Sequence, residues 1–171
     1  MYRSAVCLVI LLFLGLVFGC GKRESASLPT PPKGMALVTV AEEELKRLPP
    51  EDRELLLQVM NWLDHDLRRR LRDRGFEATL LRDMKNYAGT MGPLLVMNIQ
   101  SFEPGMAANS QHREARGVPS ALVVRYRLED ERRGLLDQWQ DGAESIKGGT
   151  YCARILNRRT VEKVSAAFRE R

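Results

Sequence analysis

Residues 35–81 read MALVTVAEEELKRLPPEDRELLLQVMNWLDHDLRRRLRDRGFEATLL, and this stretch decides the fold. Met35 to Val40 is short and mostly apolar, the pattern of a strand covered on both sides and so interior to its sheet. Ala41 to Leu48 turns from acidic to basic and reads as a helical turn. Pro49-Pro50-Glu51-Asp52 marks the start of a longer helix, because proline suits the first turn and acids there suit the helix dipole. Leu56, Met60, Leu63, Leu67 and Leu71 fall on one stripe with Val59 beside them, a helical period that continues to Arg74. Arg68, Arg69, Arg70, Arg72 and Arg74 crowd the last turns, the end where cations are favoured. Gly75 follows as the residue just past the helix. Phe76 to Leu81 reads as a second strand. Strand, helix and strand in this order predict a parallel pair joined by a right-handed crossover.

Beyond that unit, residues 82–92 (RDMKNYAGTMG) read as a loop, and Pro93 to Phe102 (PLLVMNIQSF) as the strongest strand of the chain. Glu103 to Pro119 is polar, opens on a Pro104-Gly105 turn and lacks a period. A connection of this length without structure is unusual and points to either function or mobility. Ser120 to Leu128 alternates, with Leu122, Val124, Tyr126 and Leu128 on one face and Val123, Arg125 and Arg127 on the other. The run EDERRG makes a turn, and Leu135 to Gln140 returns as the partner strand of a hairpin with Trp139 on one face. Asp141 to Thr150 reads as a Gly-rich loop. Arg154 to Glu170 reads as a helix, with Leu156, Val164 and Phe168 on its inner side and Val161 beside them. Two helices covering one face of a small mixed sheet make an α/β (α+β) two-layer sandwich over residues 35–171, its later strands joined as antiparallel hairpins.

The chain has 171 residues, 44% of them apolar and 29% charged, a globular balance. Ahead of the folded part, Ala5 to Phe18 (AVCLVILLFLGLVF) contains no polar residue, follows the basic Arg3 and ends at Gly19-Cys20. A basic start, an apolar run of about 7–15 residues and a small residue before the cut describe a secretory signal peptide. A spanning helix needs about 20 apolar residues, more than this run supplies. Val17-Phe18-Gly19-Cys20 resembles the lipobox of bacterial lipoproteins. The resemblance implies cleavage after Gly19, a diacylglyceryl group on the Cys20 sulfur, and acylation of the new amine by a fatty acid such as palmitate. An ordinary cleaved signal with an incidental cysteine and a retained anchor are the competing readings of the same residues. Gly21 in place of aspartate after Cys20 favours the outer membrane by analogy with Gram-negative sorting, with the domain facing the periplasm. Residues 20–34 then form the lipidated cysteine and a Ser-, Lys-, Pro- and Gly-rich tether, stiffened at Pro29, Pro31 and Pro32.

Of the three cysteines, Cys7 departs with the signal and Cys20 carries lipid. Cys152 is then alone and is either a small buried apolar residue or a free thiol able to pair with another chain. The formal charge is +5, and little of it leaves with residues 1–19. A basic envelope protein could meet anionic head groups, lipopolysaccharide or cell-wall polymer. Export argues against nucleic acid as a partner.

Asp64-His65-Asp66 resembles a metal triplet in composition only. On a helix successive side chains point about 100° apart, so the three cannot converge on one ion, and the triplet reads as a solvent-facing polar patch opposite the leucine stripe. His112 reads as a solvated loop histidine. With no paired spacing, neither histidine makes a metal site. No nucleophile motif, zinc-protease motif or phosphate loop is present, so no catalytic residue and no cofactor is expected. Arg68, Arg69 and Arg72 are the candidate contacts for an anionic partner. The loops 82–92, 103–119 and 141–150 are candidate binding segments, because loops on a rigid scaffold carry function.

Leu71-Arg-Asp-Arg-Gly-Phe76, the strand leading to Ser101-Phe-Glu-Pro-Gly105, and Val123-Val-Arg-Tyr-Arg-Leu128 followed by Trp139 resemble the uncharacterised DUF4410-like lipoproteins of the bacterial envelope. These are related in shape to the curli-secretion lipoprotein and to the lipoprotein activators of penicillin-binding proteins. The departure is Met106 to Val118, where that family is Gly-rich. A lipid anchor, a tether, a compact domain and no catalytic set point to a non-enzymatic lipoprotein that binds or positions another envelope component, with an envelope protein as the expected partner; the analogy of fold alone implies the alternative, a subunit of a homo-oligomeric envelope assembly or export complex.

Overall fold

The computed structural model describes residues 34–105, 117–132 and 134–169. Residues 1–19 with Cys7, Cys20, the tether up to residue 33 and His112 lie outside them. The described chain runs β1 (Gly34–Val40), α1 (Glu42–Arg47), α2 (Pro50–Arg72), β2 (Glu77–Leu81), β3 (Leu94–Glu103), β4 (Ser120–Glu129), β5 (Leu135–Ser145) and α3 (Gly149–Arg169). One mixed sheet holds the strands in the order β2-β1-β3-β4-β5. β1 pairs in parallel with both β2 and β3, so it is interior, as its apolar run predicts. β3 with β4, and β4 with β5, are antiparallel.

The two long helices cover one face of this sheet. From α2, Leu56, Val59, Leu63, Leu67 and Leu71 are buried; from α3, Cys152, Ala153, Leu156, Val161, Val164 and Phe168. They meet Met35 and Leu37 of β1, Leu95, Met97 and Ile99 of β3, and Leu122, Val124, Tyr126 and Leu128 of β4. Full burial of such a side chain stabilises by roughly 1.5–3 kcal/mol, so this layer is the core. Met60, placed on the stripe by the sequence, is only half-buried at its margin. The Tyr126 and Trp139 rings stack at 5.0 Å across the hairpin. Asn157 of α3 reaches Leu63 and Asp66 of α2, and Phe168 meets Phe76 just past the end of α2, so the helices run side by side in the same direction.

α2 ends as the sequence predicts. Gly75 has φ +89°, a left-handed conformation that glycine adopts without strain. The Phe76 N–H donates back to the Leu71 carbonyl at 3.0 Å, closing the helix end. In β3, Gln100 is an extra residue, because Ile99 faces Val124 while Ser101 already faces Val123. The bulge shifts the alternation by one, so that Phe102 joins Leu95, Met97 and Ile99 on the helix side.

Two expectations are corrected. Asp141 to Thr150 is not a loop: β5 continues to Ser145 and α3 begins at Gly149, leaving only a short turn through Gly148. Asp141 and Gly142 have little strand propensity, but β4 presents a complete row of partners, and they pair with Val124 and Val123. The second correction concerns residues 82–92, which are not an open loop. Met84, Tyr87 and Met91 pack on Ala36, Val38 and Leu94, the far face of the sheet. The segment carries the chain from β2 past β1 to β3, and a parallel connection of this kind needs about a dozen residues. It travels across the sheet opposite to the β1–α2–β2 connection and on the opposite face, as crossovers of one hand require.

Candidate functional site

The arginine-rich end of α2 is organised by a buried carboxylate. Asp66 is 6% exposed and accepts from Arg69 Nη2 at 2.5 Å, Arg70 Nε at 2.6 Å and Asn157 Nδ2 at 3.1 Å. Burial alone would raise its pKa. The hydrogen bonds from Arg70, Asn157 and Arg69 outweigh that and hold the carboxyl below the usual aspartate value. The same Asn157 amide donates to the Leu63 carbonyl at 2.9 Å, tying α3 to α2.

This arrangement fixes one wall of a cleft of about 190 Å³ between the two helices. Its lining is Arg70 from α2 and Tyr151, Arg154, Ile155 and Arg158 from α3. Because Nε of Arg70 is engaged by Asp66, both of its terminal Nη groups remain as donors. Arg154 and Arg158 are exposed, one helical turn apart, and have no acidic partner among the described residues. The Tyr151 ring carries two cations, Lys147 Nζ at 4.9 Å and the Arg154 guanidinium at 5.9 Å. Arg69 and Arg70 thus bond the Asp66 carboxylate, and Arg70 shares the cleft with Arg154 and Arg158. An anion entering the cleft meets paired guanidinium donors suited to a planar or tetrahedral oxyanion.

Of the arginines singled out by sequence, Arg69 is committed to Asp66, and Arg72 is exposed. Arg68 is half-buried, with its Nε enclosed and unbonded. The three do not form one site; the cleft is built from Arg70 and the second helix. Arg154 and Arg158 went unnoticed because they are dispersed in an ordinary amphipathic helix. Their four-residue spacing, with Tyr151 three residues before, was the available signal.

His65 is exposed. Its neighbours, though, are not part of a solvent-facing patch: Asp66 is buried, and Asp64 accepts from the Thr39 hydroxyl of β1. Burial raises the Asp64 pKa, opposed by the Thr39 hydrogen bond and by His65. Glu44 of α1 is likewise turned inward. It accepts from the Phe102 backbone N–H at 2.5 Å, beyond the last residue of β3 that β1 pairs, and from Arg47 at 2.7 and 2.8 Å. α1 thus closes the sheet where β1 ends. Cys152 is fully buried, with its thiol donating to the Ser120 carbonyl at 3.3 Å, and burial raises its pKa. It is the small buried residue rather than a thiol open to another chain. Among the described residues no group of three or more His, Cys, Asp or Glu side chains could hold a metal ion. No described helix is long and apolar enough to cross a membrane.

No protein-family model matches the sequence, and no curated protein matches it. Among solved structures, a hypothetical protein from Chlamydia trachomatis is similar at 12% identity and a TM-score of 0.48, over 82% of this chain and 100% of that one. A minor lipoprotein from Acinetobacter baumannii is similar at 14% identity and a TM-score of 0.36, over 77% and 92% of the two chains. The PelC dodecamer from Paraburkholderia phytofirmans follows at 10% identity and 0.44, over 80% and 86%. Identity this low transfers no residue from one chain to another.

Proposed function

We propose that this chain is a non-enzymatic bacterial lipoprotein, anchored through Cys20, that docks an anionic component of the cell envelope on its helix layer. The observation that carries the docking is the cleft where Arg70, paired with Asp66, meets Arg154 and Arg158, which have no acidic partner among the described residues. The anchor rests on the apolar run from Ala5 to Phe18 and the Gly19-Cys20 pair behind it. Two acyl chains bury enough methylenes, at roughly 0.8 kcal/mol each, for stable attachment. The tether places the domain within reach of the same membrane, since a dozen residues span at most about 40 Å. Its periplasmic side and the outer membrane follow from Gly21, if the host is Gram-negative.

The test is crosslinking in intact cells, with adducts identified by mass spectrometry, alongside labelling with a clickable palmitate analogue. Label that disappears in Cys20→Ser supports the anchor; label that persists there removes it. A foreign adduct that weakens in Arg154→Gln/Arg158→Gln supports docking through the cleft. A ladder of the protein's own multiples, unchanged by those substitutions, would replace the docking reading with a homo-oligomeric assembly.

A further inference from the structure

We propose that the cleft between α2 and α3 is a phosphate-binding site, and that its ligand presents a phosphate ester or free phosphate rather than a carboxylate. The inference deepens the docking reading above and rests on it for its location. Three guanidiniums line one open cleft of about 190 Å³, room enough for a phosphate group with a small substituent. A carboxylate has two oxygens in one plane, and two guanidiniums already occupy both oxygens of Asp66 in this cluster. A phosphate offers three or four oxygens around a tetrahedral centre and can engage all three side chains at once.

Two of the guanidiniums are also positioned in advance. Arg70 is fixed by its Nε–H donated to Asp66 at 2.6 Å, which aims its remaining donors away from the carboxylate. Asp66 is held in turn by Asn157 of the opposite helix. Arg154 lies over the Tyr151 ring, and Lys147 approaches the same ring. Arg154 and Arg158, on successive turns of α3, repel each other across the cleft mouth with no described acid between them, and an anion relieves that repulsion. Another cleft, beside β5, lacks this chemistry. It is lined by Glu144 and Arg159 together, and Arg159 is already bonded to Asp141 Oδ1 at 2.9 Å and to the Gly142 carbonyl at 3.2 Å.

The phosphate has two sources, a phospholipid head group or a soluble phosphate, and the experiment separates them. The full lipidated chain, in a neutral maltoside detergent, is titrated calorimetrically with inorganic phosphate, with glycerophosphoglycerol (the deacylated head group of phosphatidylglycerol) and with acetate. Saturable binding of either phosphate probe is expected, at least tenfold tighter than acetate. Affinity should fall at least tenfold in Arg154→Gln/Arg158→Gln and stay unchanged in Arg169→Gln, at the far end of the same helix. Both substituted arginines are exposed, and an unchanged thermal melt verifies the fold. Preference for glycerophosphoglycerol assigns the site to a head group; preference for inorganic phosphate assigns it to a soluble ligand. The proposal is overturned if neither phosphate probe saturates, if acetate binds equally well, or if the double variant binds like the parent. If neither probe binds but the crosslinked envelope adduct still weakens in the double variant, the docking reading stands and the phosphate assignment falls.

Discussion

β1 is covered on both faces, and the two coverings are held by different physics. Met35 and Leu37 look toward α2 and α3 and disappear into a continuous apolar layer drawn from every long element of the domain. Ala36 and Val38 look the other way and, among the described residues, are covered by the strap of residues 82–92 through Met84, Tyr87 and Met91. The helix side depends on the amount of apolar surface it buries. The strap side depends on backbone fit. Gly92 has φ +83°, and a Cβ there would lie 2.3 Å from the Gly34 carbonyl oxygen. The Tyr87 hydroxyl donates to the Gly92 carbonyl at 2.8 Å and holds the strap's end. The contrast teaches that one sheet can be closed by bulk on one side and by a close backbone contact on the other.

The sharpest way to break the helix side is Leu67→Ala, which empties a fully buried site. A loss of about 3–4 kcal/mol in urea unfolding is expected. A loss under about 1 kcal/mol would mean the helix layer does not carry the core. Asp66→Ala comes next, at about 3 kcal/mol, because it strands the partly buried Arg70 and the Asn157 amide. Asp66→Asn should cost less, and equal losses for both would show that charge plays no part. On the strap side, Gly92→Ala should cost about 2 kcal/mol through backbone strain and the clash with Gly34, read as a lowered Tm. A neutral result would show that the strap does not press on β1. Tyr87→Phe should cost about 1 kcal/mol, the net worth of one hydrogen bond.

The smallest effect is one of pH. The Glu44 carboxyl is held below its usual value of 4.5, first by the hydrogen bond from Arg47 and then, against burial, by the Phe102 N–H. Asp66 is likewise held below 3.8. A lowered carboxyl pKa stabilises the fold above the unfolded value, and that contribution is lost as pH falls through the folded value. Asp64, raised by burial, acts in the opposite sense and offsets part of the loss. Tm should therefore decline as pH is lowered from about 5 towards 3, and less steeply in Glu44→Gln. An equal slope in that variant would remove Glu44 from the acid response.

Most of the framework was legible because its signals are local and periodic. The leucine stripe of α2, its Gly75 end and the Leu122-Val124-Tyr126-Leu128 alternation each state which face is buried, and the structure buries those faces. The misread segments carry no such period. Residues 141–145 become strand because β4 offers them partners, and Gln100 becomes a bulge because register is set across the sheet. Met84, Tyr87 and Met91 were a faint apolar pattern within a loop, and their meaning depends on the face of β1 they meet. The arginine cluster was legible as charge but not as a site. Which of its members are consumed by Asp66 depends on carboxylate burial, and which remain available depends on a helix more than eighty residues away in sequence.

The sequence by itself determined the secondary elements of the framework, the mixed two-layer class and the basic character of the chain. Those follow from apolar periodicity, turn chemistry and composition, which act over a few residues at a time. Only the tertiary structure decided the strand order β2-β1-β3-β4-β5, the role of the strap, the inward turn of Glu44, Asp64 and Asp66, and the meeting of Arg70 with Arg154 and Arg158. These depend on which surfaces face one another once the chain is closed, and burial and pairing between distant residues have no signature in a local window.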